Sequence, residues 1–302
     1  MRFSVQLPTD RVQFPAEFLS ARALAEMAQA AEAAGFAAVY VTDHPIPGDA
    51  WLRSGGHHSL DPFVALSFAA AASTQLRLQT HVLVLPYRNP FLTAKAAASL
   101  DVLSGGRLTL GVAAGYLESE FAAAGADYAA RNEVSDETIA AMRATWTGES
   151  VALRGRGFRA EGNRALPVPL QKPGPPIWVG GNSRRAIRRA VELGDGWLPF
   201  PAPARLASHV HTAALTSLDD LRAGIGYARE HAAKIGRSAP LDVCFVPFGF
   251  EMGVAESGAA ERLRDEVPAY AEVGITWLAT SVPAESRAEW IRRVAALGAA
   301  LS

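Results

Sequence analysis

The sequence is short of cysteine, of long apolar runs and of charge of one sign. Its single cysteine, Cys244, excludes an internal disulfide and any multi-cysteine metal site, and its place in an apolar run predicts core packing. No apolar stretch is as long as a membrane span. A formal net charge of −1, without long single-sign runs, gives no indication of a nucleic-acid or membrane surface. Because the chain starts directly with a strand-like run, we expect no signal peptide and a cytoplasmic location.

Several common catalytic motifs are also missing. The sequence contains no Gly-Lys-Ser/Thr phosphate loop, no GxGxxG and no GxSxG. His57 and His58 have no third ligand at a suitable spacing, so no metal site is predicted. The lysines are Lys95, Lys172 and Lys234, and none lies at a predicted strand end. A barrel lyase or isomerase that forms a Schiff base is therefore not favoured.

What the sequence does contain is a regular alternation of strand-like and helix-like segments. About half of the 302 residues are apolar and a fifth are charged, as in an ordinary globular protein. The predicted strands are residues 3–7, 38–42, 76–85, 107–112, 177–179, 196–198, 241–246 and 275–279. The predicted helices are residues 18–34, 61–74, 91–103, 136–147, 183–193, 218–234, 259–273 and 284–301.

Eight strands, each followed by a helix, predict an α/β fold of the (β/α)8 TIM-barrel type rather than an open sheet. Residues 148–176, which include a predicted hairpin over 150–161, form an insertion between strands 4 and 5. Because no break in composition divides the chain, we expect one domain over residues 1–302.

Residues 77–116 form a complete strand–helix–strand unit whose strands end in unusual residues. His81 lies inside the first strand, and Gly115 and Tyr116 follow the second. A parallel α/β fold places its chemistry at the carboxyl ends of its strands. His81 needs a polar partner or a ligand, while Gly115 lets a planar ring approach the backbone beside the aromatic Tyr116. The alternatives are a histidine bonded in the core and an ordinary loop glycine.

Asp43 and His44 follow the second strand and place an ionisable pair at the barrel mouth. Histidine is the side chain best matched to proton transfer near neutral pH. Asp43 would orient the imidazole or bind the ligand directly. The alternative is a strand end with an exposed histidine.

The turn after the fifth strand has the sequence Gly180-Gly181-Asn182-Ser183 and leads into a helix. Glycines expose backbone amides, Ser183 can cap the helix, and a helix N-terminus favours an anion. We interpret this turn as a phosphate site, with an ordinary strand–helix turn as the alternative. Trp51, Trp197 and Phe200 are predicted as apolar walls of the pocket, although core packing explains each almost as well.

Five segments together resemble the bacterial luciferase-like superfamily, and its coenzyme F420-dependent oxidoreductases most closely. They are residues 42–45 (TDHP), 80–90 (THVLVLPYRNP), 100–108 (LDVLSGGRL), 111–116 (GVAAGY) and 178–183 (WVGGNS). The 80–90 and 100–108 segments are the specific ones, and the resemblance covers nearly the whole chain.

The resemblance implies a (β/α)8 barrel with a deazaflavin bound across the strand ends. It assigns the catalytic histidine to His44 and a ligand-orienting aspartate to Asp43. It implies a non-proline cis peptide at His81-Val82 that forms a bulge behind the cofactor ring, with Gly115 and Tyr116 at the edge of the ring. It also places the cofactor phosphate on Gly180, Gly181, Asn182 and Ser183, and implies a homodimer.

The sequence departs from the sugar-phosphate dehydrogenase branch at three places. Position 116 is Tyr, where that branch has Glu, and position 81 is His, where many relatives have a small residue. Trp51 also lies further along the sequence from His44 than the substrate-stacking tryptophan of that branch lies from its catalytic histidine. These differences argue against a sugar phosphate as substrate. The leading hypothesis is hydride transfer between F420 and a small organic substrate, with His44 as proton donor or acceptor. The alternatives are an FMN-dependent monooxygenase and a non-catalytic F420- or flavin-binding protein.

Overall fold

The structure is a computed structural model that describes residues 1–250 and 258–302. The strands within these ranges are β1 Arg2–Gln6, β2 Ala38–Val41, β3 Arg77–Val84, β4 Leu108–Ala113, β5 Val151–Gly155, β6 Phe158–Asn163, β7 Ile177–Gly180, β8 Gly196–Leu198, β9 Asp242–Phe245 and β10 Trp277–Thr280. The helices are α1 Pro15–Phe18, α2 Ala21–Ala33, α3 Asp49–Arg53, α4 Pro62–Ala72, α5 Pro90–Leu103, α6 Glu118–Ala123, α7 Arg131–Trp146, α8 Arg184–Leu193, α9 Ala204–His209, α10 Leu218–Lys234, α11 Ala259–Val273 and α12 Arg287–Leu301.

Eight strands close into a parallel barrel in the order β1, β2, β3, β4, β7, β8, β9, β10, which confirms the predicted (β/α)8 fold. The barrel closes where β1 pairs with β10, with Val5 opposite Thr280. The remaining pair, β5 and β6, forms an antiparallel hairpin outside the barrel. Because this hairpin lies between β4 and β7, the predicted insertion between the fourth and fifth barrel strands is also confirmed.

Serine caps account for two helix boundaries that differ from the sequence prediction. The helix predicted over 18–34 is interrupted at Ser20, whose hydroxyl accepts the Ala23 N–H at 3.1 Å, so α2 begins at Ala21. The final helix, predicted from residue 284, begins at Arg287 because Ser286 caps it through the Glu289 N–H at 3.3 Å. A side chain that satisfies the first N–H groups fixes the start of a helix more firmly than apolar periodicity does.

Large side chains fill the amino-terminal half of the barrel interior. Trp178 and Trp277 meet with ring centroids 5.4 Å apart, and the Arg2 guanidinium lies 4.4 Å over the Trp277 ring. Cys244 is buried in the same cluster, beside Tyr40, which confirms its prediction as a core residue. Because this end is filled, open space inside the barrel lies towards the carboxyl ends of the strands.

Candidate active site

A cavity of about 600 Å³ opens at the carboxyl ends of the barrel strands. It is the place where a (β/α)8 barrel positions its catalytic groups. Most of the residues predicted from the sequence line it together: Asp43, His44, Trp51, His81, Val82, Gly115, Tyr116, Gly180, Gly181, Ser183 and Phe200.

His44 is held at the cavity wall from two sides. Its backbone N–H donates to Ser59 Oγ at 3.0 Å, and its ring Nδ1 lies 3.1 Å from Glu120 Oε2. The Trp51 ring lies 4.5 Å from the imidazole, centroid to centroid. Because a carboxylate only accepts hydrogen bonds, Nδ1 carries the proton and Nε2 is the nitrogen left for a ligand.

Glu120 is a site residue that the sequence reasoning missed. It lies on α6, just after the loop that follows β4, and is completely buried. Besides His44, the carboxylate accepts from the Tyr87 hydroxyl at 3.2 Å and from the Ile46 N–H at 3.2 Å. Burial and the charge of Glu120 raise the pKa of the Tyr87 hydroxyl, which therefore stays a donor. No local pattern in the sequence indicated a role for it, because its partners lie on other segments of the chain.

Asp43 does not orient His44, contrary to one of the two roles predicted for it. Its Oδ2 accepts the Val84 N–H at 3.0 Å, and its Oδ1 accepts from Arg88 Nη2 at 3.0 Å. Burial raises the pKa of the Asp43 carboxyl, while the Arg88 guanidinium and the Val84 N–H act in the opposite direction. Because Arg88 also bridges to Asp61 at 3.0 Å, Asp43 fixes the end of β3 against the start of α4.

The floor of the cavity is an irregular stretch of β3. The peptide bond between His81 and Val82 is cis, as the resemblance predicted, and the register with β4 shifts between Thr80 and Leu83. The His81 ring packs 4.8 Å from the Tyr40 ring and is buried except where it borders the cavity. Burial lowers the pKa of His81 to about 4, so its imidazole is neutral near pH 7.

Gly115 and Tyr116, which follow the neighbouring strand β4, also line the cavity. Gly115 has φ +79°, and a Cβ there would come 2.6 Å from Val84 Cγ1, so only glycine fits without displacement. Burial raises the pKa of the Tyr116 hydroxyl to about 12, although a hydrogen bond with Trp51 opposes this shift. Tyr116 and Trp51 therefore form a connected aromatic wall next to His44.

The turn between β7 and α8 forms the far end of the cavity. Gly181 has φ +113°, and Ser183 caps α8 by accepting the Ala186 N–H at 3.2 Å. Three arginines, Arg131, Arg185 and Arg189, line the same end of the cavity. Since the first N–H groups of a helix have no partners within it, this end of the cavity suits an anion.

Two predicted site residues have other tasks in the structure. The Asn182 N–H donates to Thr212 Oγ1 at 2.7 Å, and its side-chain amide donates to the Phe200 and Ala213 carbonyls. Asn182 therefore connects the β7–α8 turn to the loops after β8, and these donors are not available to a phosphate. Trp197 is buried against Gly224 of α10, and its indole donates to the Gly181 carbonyl at 2.8 Å. The prediction of Trp197 as a pocket wall is therefore wrong.

Within residues 1–250 and 258–302, none of the helices combines the length and the apolar character that crossing a membrane requires.

The sequence matches a family model described as "Luciferase-like monooxygenase" over residues 1–263. It is 32% identical over 267 residues to the uncharacterised protein Rv0953c of Mycobacterium tuberculosis, a match that covers 82% of this chain and 91% of that protein. It is 33% identical over 174 residues to an F420-dependent hydroxymycolic acid dehydrogenase of the same species, covering 57% of this chain and 47% of the relative. It is also 29% identical over 218 residues to an FMNH(2)-dependent dimethylsulfone monooxygenase of Pseudomonas putida, a match that covers 71% of this chain and 56% of that protein.

Two solved structures share the fold over almost their whole length. An F420-dependent secondary alcohol dehydrogenase in complex with an F420-acetone adduct superposes with a TM-score of 0.75 at 17% identity, covering 100% of this chain and 99% of that one. The monooxygenase RslO1 from Streptomyces bottropensis superposes with a TM-score of 0.74 at 22% identity, covering 98% of each chain.

Proposed function

The chain belongs to the luciferase-like monooxygenase family, as its motifs predicted, and we propose that it is an F420-dependent oxidoreductase acting on a small organic substrate. It is an enzyme, because the characterised relatives are oxidoreductases and monooxygenases that use F420 or a flavin. The cofactor is correspondingly a deazaflavin or a flavin. Our proposal selects F420 and assigns the proton transfer to His44.

The observation that carries the proposal is the bonding of His44. Its Nδ1 is bonded to the buried carboxylate of Glu120 at 3.1 Å, and its other nitrogen is available to the cavity. This arrangement makes Nε2 a proton acceptor, and the carboxylate stabilises the imidazolium that forms. A dehydrogenase needs such a proton-exchanging group in addition to its hydride carrier, and His44 Nε2 would meet that need.

The residues around the cavity fit a flavin or deazaflavin. A Cβ at Gly180 would approach Val82 Cγ1 to 3.2 Å, so glycine leaves room for a flat ring system above the floor. The arginines and the start of α8 suit the phosphate of such a cofactor. Bound there, the deazaflavin would supply hydride chemistry, while the protein supplies orientation and the proton path.

For an alcohol substrate, the proposed reaction uses His44 as the base. His44 Nε2 would accept the hydroxyl proton of the alcohol, and the bound cofactor would supply the hydride acceptor that a carbonyl product requires. In the reverse direction, His44 Nε2–H would protonate the oxygen of a carbonyl substrate. Trp51 and Tyr116 line this side of the cavity and would shield the reacting atoms from water once a substrate is bound.

Titration of the purified protein with F420 and with FMN, followed by fluorescence, tests the cofactor assignment. We expect micromolar binding of F420 and weaker binding of FMN. Turnover is then measured with secondary alcohols for the wild type, His44→Ala and, as a matched control, His231→Ala, which changes a histidine of α10 that lies outside the cavity. Failure to bind F420 at micromolar concentrations refutes the proposal, and tight binding with no turnover identifies a non-catalytic binding protein.

An FMN-dependent monooxygenase is the second candidate, favoured by the similarity to the FMNH(2)-dependent enzyme of Pseudomonas putida. Deazaflavin lacks the N5 chemistry that supports oxygen activation, so oxygen consumption separates the two functions. Rapid oxygen uptake with FMNH2 and a thioether or sulfone substrate, above the rate of free FMNH2, would establish this second function instead.

A further inference from the structure

Tyr116 brings an uncommitted proton donor to the active-site cavity. Its side chain is half-buried and lines the cavity, and its hydroxyl, unlike that of Tyr128, is not an unpartnered atom shielded from solvent. Among the described residues, Trp51 is the hydrogen-bond partner that the structure gives this hydroxyl. Because an indole N–H only donates, the Tyr116 oxygen accepts this bond and keeps its own proton for a ligand.

Trp51 places this hydroxyl beside His44. The Trp51 ring lies 4.5 Å from the His44 imidazole, centroid to centroid, and its indole bonds to Tyr116. Tyr116 also lies in the segment that leads into α6, and α6 carries Glu120, the partner of His44 Nδ1 at 3.1 Å. Since Nδ1 is occupied, His44 has Nε2 left for a ligand. An acceptor, Nε2, and a donor, the Tyr116 hydroxyl, therefore border the same part of the cavity.

The Tyr116 hydroxyl stays protonated near pH 7. Burial, and after it the charge of Glu120, raise the pKa of this hydroxyl to about 12. The same two causes raise the pKa of the Tyr87 hydroxyl, but that hydroxyl already donates to Glu120 Oε2 at 3.2 Å. Of these two tyrosines near Glu120, Tyr116 is therefore the one whose proton is available to a ligand.

The backbone on both sides of Tyr116 is held in place. Gly115 before it has φ +79°, and a Cβ there would come 2.6 Å from Val84 Cγ1. Leu117 after it is buried and is the residue from which α6 starts. The Tyr116 ring also meets the His209 ring edge-on, with centroids 6.1 Å apart. A side chain held in this way loses little conformational freedom when it binds a ligand, which favours a hydrogen bond in the bound state.

We propose that Tyr116 is a second catalytic residue, whose hydroxyl donates a hydrogen bond to the oxygen atom on the reacting carbon of the substrate. This inference rests on the proposed function. When the alcohol proton passes to His44 Nε2, the alcohol O–H bond breaks, an N–H bond forms, and the electron pair stays on the substrate oxygen. The Tyr116 O–H stabilises the negative charge that develops there and keeps its own proton. With a carbonyl substrate, the same O–H polarises the carbonyl group.

Tyr116→Phe removes the hydroxyl and keeps the ring. With F420 as oxidant and hexan-2-ol as substrate, we expect kcat to fall by about 100-fold, as for the loss of one donor to a developing oxyanion, while the dissociation constant of the cofactor stays unchanged. Tyr227→Phe is the matched control, because Tyr227 lies on α10 and its hydroxyl accepts from Arg188 at 3.0 Å. A wild-type kcat in Tyr116→Phe, or a loss of turnover that saturating cofactor restores, overturns the inference.

A measurement without turnover separates this inference from the proposed function. Cyclohexanone labelled with ¹³C at its carbonyl carbon is titrated into the protein mixed with oxidised F420, which cannot reduce a ketone. A hydrogen bond to the carbonyl oxygen moves the ¹³C NMR signal downfield, so the shift should be smaller in Tyr116→Phe than in the wild type and unchanged in Tyr227→Phe. If no alcohol is oxidised, the proposed function is at fault and this shift still decides whether Tyr116 donates to the ligand. Equal shifts in the wild type and Tyr116→Phe, or none in the wild type, overturn the inference.

Discussion

The two ring nitrogens of His44 have different tasks. Nδ1 is fixed by a carboxylate that has no exposure to solvent, so the ring has one orientation and one tautomer. Nε2 is therefore free to exchange a proton with a ligand. The proposed function of His44 thus depends on Glu120, although His44 follows β2 and Glu120 lies on α6, which follows β4.

Replacing Glu120 by glutamine should remove the proton-accepting role of His44 Nε2 while the side chains around the imidazole stay in place. Glu120 Oε1 accepts the Ile46 N–H, so the glutamine amide oxygen takes that place and its NH2 group faces His44 Nδ1. That NH2 group donates to Nδ1, which forces the ring proton onto Nε2 and removes the acceptor. We expect kcat for alcohol oxidation to fall by about 100-fold, while the dissociation constant of the cofactor stays unchanged.

Steady-state kinetics together with fluorescence titration of the cofactor measure both quantities. Glu118→Gln is the matched control, since Glu118 is an exposed residue of the same helix. A wild-type kcat in Glu120→Gln would show that His44 does not need its carboxylate partner.

His81 should make the stability of the protein depend on pH. Burial lowers its pKa to about 4 in the folded state, whereas an unfolded chain has the ordinary value near 6.5. Below pH 6.5 the unfolded state therefore binds more protons, and the free energy of unfolding falls as the pH decreases from 6.5 to 4. The loss from this residue alone amounts to about 3 kcal/mol at most.

Urea unfolding at pH 7.5 and at pH 4.5 measures this contribution as a difference between variants. His81→Asn should lose less stability between the two pH values than the wild type does, whereas the exposed His58→Asn should lose as much as the wild type. An identical loss in the wild type and His81→Asn would contradict the assignment.

The residues that could be predicted from the sequence are those fixed by their position on a strand. His44 and the His81-Val82 peptide follow from where β2 and β3 end and from a specific motif. The bond between Glu120 and His44 depends on how two loops meet in space, and no local pattern encodes that. The error at Trp197 concerns strand geometry, because successive side chains alternate between faces. Leu198 faces the cavity, so its neighbour Trp197 must face the helices.

At the scale of elements, the start of α8 provides the positive end of the cavity. Arg185 lines the cavity, whereas the Arg184 guanidinium lies 5.1 Å over the Tyr227 ring, away from it. Two adjacent arginines on one helical turn therefore differ in their relation to the proposed cofactor phosphate. This pair provides an internal comparison for the contribution of a single positive charge.

Arg185→Ala should weaken cofactor binding and Arg184→Ala should not. Loss of one partly exposed cation near a phosphate is expected to raise the dissociation constant by about fivefold, or about 1 kcal/mol. The effect should shrink as the salt concentration rises, because exposed charges are screened. Fluorescence titration at low and high salt measures it. Equal effects of the two substitutions would place the phosphate elsewhere.

At the same scale, two long helices were predicted with the bounds that the structure shows, whereas the short ones were not predicted at all. The bounds of α10 and α11 agree with the sequence prediction, because each has a long periodic pattern and a glycine close behind its end. The short helices α3, α6 and α9 were missed, since helices of five or six residues carry too few turns for periodicity to appear. These helices lie in the loops at the barrel mouth, so the least predictable elements are also the ones that build the site.

At the scale of the whole molecule, α4 presents apolar side chains outwards. The helix has no charged residue along its length, yet Val64 is 57% and Phe68 is 44% exposed, one turn apart on the same face. Leu92 of the neighbouring α5 is 72% exposed. A helix that is apolar all round is ordinarily buried. We propose that a second copy of the chain covers this face and that the protein is a homodimer.

Light scattering coupled to size-exclusion chromatography should give twice the 32.0 kDa mass of one chain for the wild type. Phe68→Glu places a charge in the proposed interface, where it would be buried without a partner, so we expect this variant to elute as a monomer with an unchanged circular dichroism spectrum. Ile235→Glu, at an exposed apolar position after α10, should remain a dimer. A monomeric wild type would exclude the dimer, and a dimeric Phe68→Glu would place the interface on another face.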